Sequence, residues 1–443
     1  MKKKTLFYTF IAAIGGLLFG FDTAVINGAL PFFSDYFALD GAMQGWSVSS
    51  GLIGCVIGAI FIGKPSEIFG SRAMLKFLAV LFIATALGTG LAPNFSIFII
   101  ARIIGGIAIG GASVLSPIYI SEISPAEFRG RLGSVFQLAI VIGILLAFAS
   151  DLALLNTGEN NWRYMFLSGA IPAFAFFTML FFVPSSPRWL VKAGKEEDAK
   201  KVLRQLLVPD SNKLINEIKQ SLASEEGDKK EKLFQGKNLN LVLIGIAVAV
   251  FNQLTGINIV MYYSADIFRS VGFTTDSAIW QTVIIGATNL IATIIGMSLI
   301  DKVGRKRLLL LGSLCMAGFL LLFGVLTLTG YQGYGLLFLL VGFAFSFAAS
   351  SGVTVWVLLS ELFPNAIRAR AVSVSSFSNW LVNSASAFLF PVILAAFPGS
   401  IGLGYSFIFY GISTIIAYFF YKKFLVETRG KTLEEMGEVA IHH

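Results

Sequence analysis

Two ionisable side chains stand inside stretches that are otherwise suited only to an apolar surrounding. Asp22 lies in the run that begins near residue 6, and Arg102 in the run that begins near residue 95. A charge there is costly and usually functional. At about 1.5 Å per residue, Asp22 lies roughly 16 Å and Arg102 roughly 10 Å from the outer ends of their runs, so long side chains at these depths could meet. An aspartate beside an arginine is held ionised, and moving the arginine away in a low dielectric favours protonation. A cycle that makes and breaks such a pair can carry a proton. The competing reading is a static ion pair that only orients two helices.

Amides form a second group. Gln137, Gln253, Asn258, Asn289 and Asn379 each interrupt an apolar run. An amide both donates and accepts hydrogen bonds, as does a hydroxyl group. Trp356 and Trp380 could cover the apolar C–H face of a polyhydroxylated ring. No cluster of cationic side chains accompanies them, which argues against a phosphorylated or strongly anionic ligand. Polar bonding between helices is the competing use of these amides. Tyr262 and Tyr263 could gate the mouth of a cavity or simply pack.

Other chemistry is poorly provided for. The only histidines are His442 and His443, which read as the start of a purification tag. That leaves no histidine for catalysis or a metal site, and no nucleophile elbow, HExxH or phosphate-binding glycine loop is found. Cys55 and Cys315 sit in apolar runs and read as small buried hydrophobes. An enzyme is not expected, nor a metal or organic cofactor; the proton is the expected coupling ion.

The elements that must position these residues are membrane spans. Of the 443 residues 56% are hydrophobic and only 13% charged, about half the charge of a soluble chain. Runs long enough to cross a bilayer, at about 20 residues each, fall near 6–33, 45–66, 74–92, 95–123, 130–155 and 162–183. A second set falls near 239–267, 277–300, 307–329, 334–362, 369–397 and 402–424. The expected fold is all-α and polytopic, with about twelve transmembrane helices. The Lys2–Lys4 start resembles a signal peptide, but its run continues past Asp22 to Phe33 without a small-residue cleavage site and reads as the first span.

Basic residues set the orientation. Lys2–Lys4, Arg72, Lys76, Arg129, Arg131, Lys302, Arg305–Arg307, Arg368, Arg370 and Lys422–Lys423 fall on one side of the spans, as does the charged stretch after span six. The positive-inside rule makes that side cytoplasmic, with both termini on it. The net charge of +8 is therefore a topology signal, and no nucleic-acid partner is expected. Residues 184–237 form the one long hydrophilic stretch. Within it Ala199, Val202, Leu203 and Leu206, then Leu214, Ile218 and Leu222 after a cap at Asp210 or Ser211, predict short amphipathic helices.

An internal repeat divides the chain. Ser121-Glu122 with Pro125, Arg129 and Arg131 recurs as Ser360-Glu361 with Pro364, Arg368 and Arg370 at the same spacing, each where a span leaves on the basic side. A looser pair sets Gly63 to Arg72, with Glu67, against Asp301 to Arg307. The expected organisation is a six-helix half over 1–183, a cytoplasmic helical linker over 184–237, a second six-helix half over 238–424 and a cytoplasmic tail over 425–443. In such transporters the substrate sits near the midplane between halves that rock around it. Glu67, Arg72, Glu122, Arg129, Asp301, Arg305, Lys306, Glu361 and Arg368 crowd the basic ends and could form a latch of salt bridges; the alternative is topology-setting charge alone.

Over essentially its whole length the sequence resembles the sugar porter family of the major facilitator superfamily. The resemblance rests on Gly20-Phe21-Asp22-Thr23, Arg102 with Gly105-Gly106, and Pro117 to Glu122. It continues through Pro184 with Pro187-Arg188-Trp189, Gln253 to Asn258, Tyr262-Tyr263, and Glu427 to Leu433. Departures are Glu67 and Ser71 in the first basic loop, Ser185 where the family has glutamate, Asn252 ahead of Gln253, and Thr354-Val355 where a proline precedes Trp356. The resemblance implies alternating access, a cytoplasmic helical domain and a small neutral sugar as partner. It also implies proton symport, which accompanies an acid at the place of Asp22. A sugar uniporter is the alternative; a sugar sensor and a drug exporter are weaker ones. The expected location is the cell membrane, in contact with lipid and working as a monomer.

Overall fold

Backbone amides that lie in lipid must bond within their own segment, so apolar runs of this length become helices. The structure, a computed structural model, describes residues 3–124, 129–206, 210–227 and 233–427, and among these it contains no strand. The first helices are α1 (Lys3–Phe37), α2 (Gly41–Phe61), α3 (Gly63–Phe69), α4 (Ser71–Gly90), α5 (Phe95–Ile123) and α6 (Arg129–Leu154). Then come α7 (Asn161–Ser168), α8 (Ala170–Met179), α9 (Pro187–Lys192), α10 (Glu196–Gln205) and α11 (Ser211–Gly227). The remainder are α12 (Gly236–Leu254), α13 (Ile257–Ser270), α14 (Thr275–Val303), α15 (Arg305–Leu328), α16 (Tyr334–Ala349), α17 (Ser351–Leu362), α18 (Asn365–Ala396) and α19 (Ile401–Phe424).

Eleven segments of the described chain are long and apolar enough to cross a membrane, against about twelve expected. The difference is the sixth run, which is split into α7 and α8. Pro172, in the first turn of α8, has no N–H to donate to the carbonyl of Ser168, so the helical ladder is interrupted there. Two further runs are bent without losing their length. The seventh breaks at Gly256, whose φ of 80° is left-handed, and a Cβ there would meet the Tyr410 ring at 2.6 Å. The tenth breaks at Ser350, between α16 and α17, with no proline at the break.

The described chain forms two compact units. One lies within residues 1–25, 50–147 and 163–230, the other within 26–49, 148–162 and 231–443. In the first, glycines bring helix backbones together. A Cβ on Gly20 would lie 1.9 Å from the Ile140 carbonyl oxygen, and one on Gly143 2.0 Å from that of Leu17, so α1 and α6 touch. Gly106 and Gly110 of α5 meet the carbonyls of Gly51 and Cys55 on α2 in the same way. Cys55 is buried as expected, whereas Cys315 of the second unit is exposed on α15, in a run whose outer face is apolar. The amphipathic pattern of 184–227 gives α9–α11, with Ala199, Val202 and Leu203 buried and the Asp210 carboxylate accepting the Lys213 N–H at the start of α11.

In the second unit α15 packs against α19, α12 against α18 and α14 against α16. Its core at the basic end is built from Val242, Val248, Leu309, Val355, Leu358, Leu359 and Phe363.

Candidate functional site

The glycine contacts of the first unit set α1 and α5 so that Asp22 and Arg102 meet. Arg102 Nη1 lies 3.1 Å from Asp22 Oδ2 and donates also to the Asp22 carbonyl at 3.2 Å. Both side chains are largely withdrawn from solvent, at 3% exposure for Arg102 and 14% for Asp22. Gly51 leaves room for the guanidinium: a Cβ there would stand 3.1 Å from Nη2. Among the described residues Arg102 Nε has no partner, and the guanidinium bonds to Asp22 alone. A small cavity walled by Phe21, Phe82, Ala86, Phe166 and Gly169 adjoins Asp22.

Three of the predicted amides come together in the second unit. Asn258 Nδ2 donates to Gln253 Oε1 at 2.7 Å, Gln253 Nε2 to Asn379 Oδ1 at 2.9 Å, and Asn379 Nδ2 to the Ala249 carbonyl at 2.9 Å. The break at Gly256 makes this possible, since it turns α13 so that Asn258 faces back to Gln253 on α12. A chain of this kind holds each amide in one orientation while leaving donor and acceptor capacity over. Asn289 is buried on α14 and Gln137 half-buried on α6, and neither bonds to another described side chain. Trp380 is buried on α18, and Trp356 on α17 is 39% exposed.

Tyr262 and Tyr263 are both buried. Tyr262 Oη accepts from Asn383 Nδ2 at 3.1 Å, and Tyr263 Oη donates to the Ala387 carbonyl at 2.7 Å with its ring against Phe390. Nearby is a residue that sequence reasoning passed over. Asn27 Nδ2 donates to the Met261 carbonyl at 2.6 Å and to Ser264 Oγ at 2.7 Å, while its Oδ1 accepts the Ala265 N–H at 3.0 Å. These bonds join α1 to α13 at the ends away from the basic loops. The only signal in the sequence was an amide in an apolar run, the same signal that singled out the others.

At the basic ends, charge groups differently in the two units. In the second, Arg305 pairs with Asp301 at 2.9 Å and Glu361 at 3.0 Å. Lys306 Nζ donates to the Lys422 and Leu425 carbonyls at the end of α19, and Arg368 Nε to the Phe363 carbonyl. Glu427 completes the cluster: its carboxylate accepts the backbone N–H groups of Arg305 at 2.8 Å and Lys306 at 3.1 Å. An anion on a helix N-terminus is favourable through both the free N–H groups and the helix dipole. In the first unit Glu67 pairs with Lys192 at 3.0 Å, both exposed, and its carbonyl accepts from Trp189 Nε1. Arg72 donates to the carbonyls of Leu180 and Phe181, and Glu122 bonds to the Ser186 side chain. No salt bridge joins Glu67, Arg72 and Glu122 to one another among the described residues. The Arg129 and Arg131 side chains and residues 428–443 of the tail lie outside the described residues.

The described residues set an ion pair and a chain of amides inside long apolar helices. The family model described as "Sugar (and other) transporter" matches residues 8–440, and the chain belongs to that family of membrane transporters. It is 38% identical to the D-xylose-proton symporter of Escherichia coli strain K12, over 97% of this chain and 94% of that one. It is equally identical, with the same coverage, to the arabinose-proton symporter of Bacillus subtilis strain 168. The inward-open structure of the E. coli xylose transporter XylE superposes with a TM-score of 0.86 at 36% identity, covering 97% of this chain and 98% of that one. The fold is that of the major facilitator superfamily.

Proposed function

We propose that this chain imports a neutral monosaccharide, a pentose or hexose, by proton symport through alternating access. The observation that carries the reading is the buried Asp22–Arg102 pair, which stands in apolar spans and has no other ionic partner among the described residues. Two relatives named as sugar–proton symporters, for xylose and arabinose, support it.

The pair is the coupling device. Parted from Arg102 in a dry span, the Asp22 carboxylate has no cation, and a proton takes its place. The adjoining cavity gives that proton room to arrive. In the second unit Gln253, Asn258, Asn379 and Asn289 exchange bonds with the sugar hydroxyls while the Trp356 and Trp380 indoles cover its apolar face; Gln137, in the first unit, offers an amide of the same kind. Tyr262 and Tyr263 steady the mouth through α18. The basic-end pairs of Arg305 with Asp301 and Glu361 close the inner side and open for release. The chain lies in the cell membrane with its termini and α9–α11 cytoplasmic, as twelve spans in two halves.

Entrance counterflow of labelled D-xylose, L-arabinose and D-glucose in proteoliposomes tests the substrate class. Exchange of at least one, competed by the unlabelled sugar, is expected. Exchange of none would remove the sugar assignment.

A further inference from the structure

Asp151 is a carboxylate that neither the ion pair nor the amide chain uses. It stands near the end of α6 in an otherwise apolar run and is 0% exposed. Its Oδ2 accepts the Gly28 N–H of α1 at 3.2 Å, and its Oδ1 has no partner among the described residues. Gly28 is a close fit, since a Cβ there would lie 2.5 Å from the Asp151 Cβ. Among the described residues no Lys or Arg forms a salt bridge with Asp151. α6 has no other titratable side chain from Leu132 to Leu154. On the neighbouring helices the candidates at this end are Asp35 and Tyr36 on α1, Asp266 with its partner Arg269 on α13, Tyr262 and Tyr263 on α13, and Asp276 on α14.

The surroundings tie Asp151 to the α1–α13 junction. Gly28 follows Asn27, which makes the three bonds to α13. One turn beyond Asp151, Leu155 packs with Ala265 of α13 and Ile279 of α14, alongside Phe32 and Leu152. Asp151 is therefore dry only while these ends of α1 and α6 lie against α13 and α14. An ionised carboxylate without a cation is expensive in such a place; a carboxylic acid with one hydrogen bond is far less so.

We propose that Asp151 is a second proton-binding site, separate from Asp22, which is occupied when these helix ends are joined and gives up its proton to water when they part. Joining the ends then takes up one proton, so the equilibrium between joined and parted states follows pH.

The test is made in the Asp22→Asn background, so that the outcome does not depend on the coupling role of Asp22. Infrared difference spectra of the protein with and without Asp151→Asn, at neutral pH, are expected to show a protonated-carboxyl stretch that the substitution removes. Hydrogen–deuterium exchange over 26–37 and 257–270, corrected for the intrinsic rate, is expected to rise with pH while Asp151 is present and to stay flat in Asp151→Asn. Asparagine keeps the Gly28 bond, so the variant retains its fold. No carboxyl band at neutral pH, or the same pH dependence in both proteins, overturns the proposal.

Discussion

Among the described residues Arg102 has Asp22 as its one carboxylate, and Gly51 gives the guanidinium the space to reach it. Gly51→Ala, whose Cβ would crowd Nη2, is expected to impair transport while leaving the protein extractable as a monodisperse species; unchanged uptake would show that the guanidinium moves freely. In the amide chain, Asn258→Ala removes one partner of Gln253. Loss of the one hydrogen bond that Asn258 would give a sugar hydroxyl costs about 1 kcal/mol, about fivefold in apparent affinity. An unchanged KM for sugar would place Asn258 in helix packing alone. At the basic end the exposures rank the carboxylates. Asp301 is 79% exposed and Glu361 25%, and exposed pairs contribute little. Glu361→Gln is therefore expected to speed labelling of cysteines introduced at the basic end more than Asp301→Asn does; the reverse order would assign the latch to Asp301.

Helix breaks set the geometry at the next scale. The left-handed φ at Gly256 and the Tyr410 ring beside it both resist a side chain. Gly256→Ala is expected to abolish transport, because it disturbs the turn that sets Asn258 against Gln253; full activity would mean that the turn tolerates a Cβ. The spans themselves were legible, since an apolar run of bilayer length has one stable form. The split at Pro172 was not, because a proline within an apolar run need not break it, as Pro31 in α1 and Pro117 in α5 do not. Asn258, Gln253 and Asn379 were legible as amides in apolar runs, but their order as a chain was not, since Asn379 is 126 residues from Gln253. Asn27 and Asp151 carried the same single-residue signal without a matching partner in sequence. Glu427 was visible only as part of a tail motif. Its seat on the α15 N-terminus depends on the return of the chain after α19.

For the whole molecule, symport requires that the proton and the sugar cross in the same turn of the cycle. Asp22 and the amide chain stand in different compact units, at depths set by glycine contacts in one and by the Gly256 turn in the other. Neither alone makes a symporter: the ion pair without the amides would leak protons, and the amides without the pair would only equilibrate sugar. Coupling is the claim that joins them. It is tested most directly by uptake of labelled sugar into proteoliposomes with and without an inward proton gradient, for wild type and Asp22→Asn, with proton entry followed in the same vesicles. The account predicts accumulation above equilibrium that needs both the gradient and Asp22, with sugar addition drawing protons inward. Equilibration alone, indifferent to the gradient and to Asp22→Asn, would contradict it and leave a uniporter with a structural ion pair.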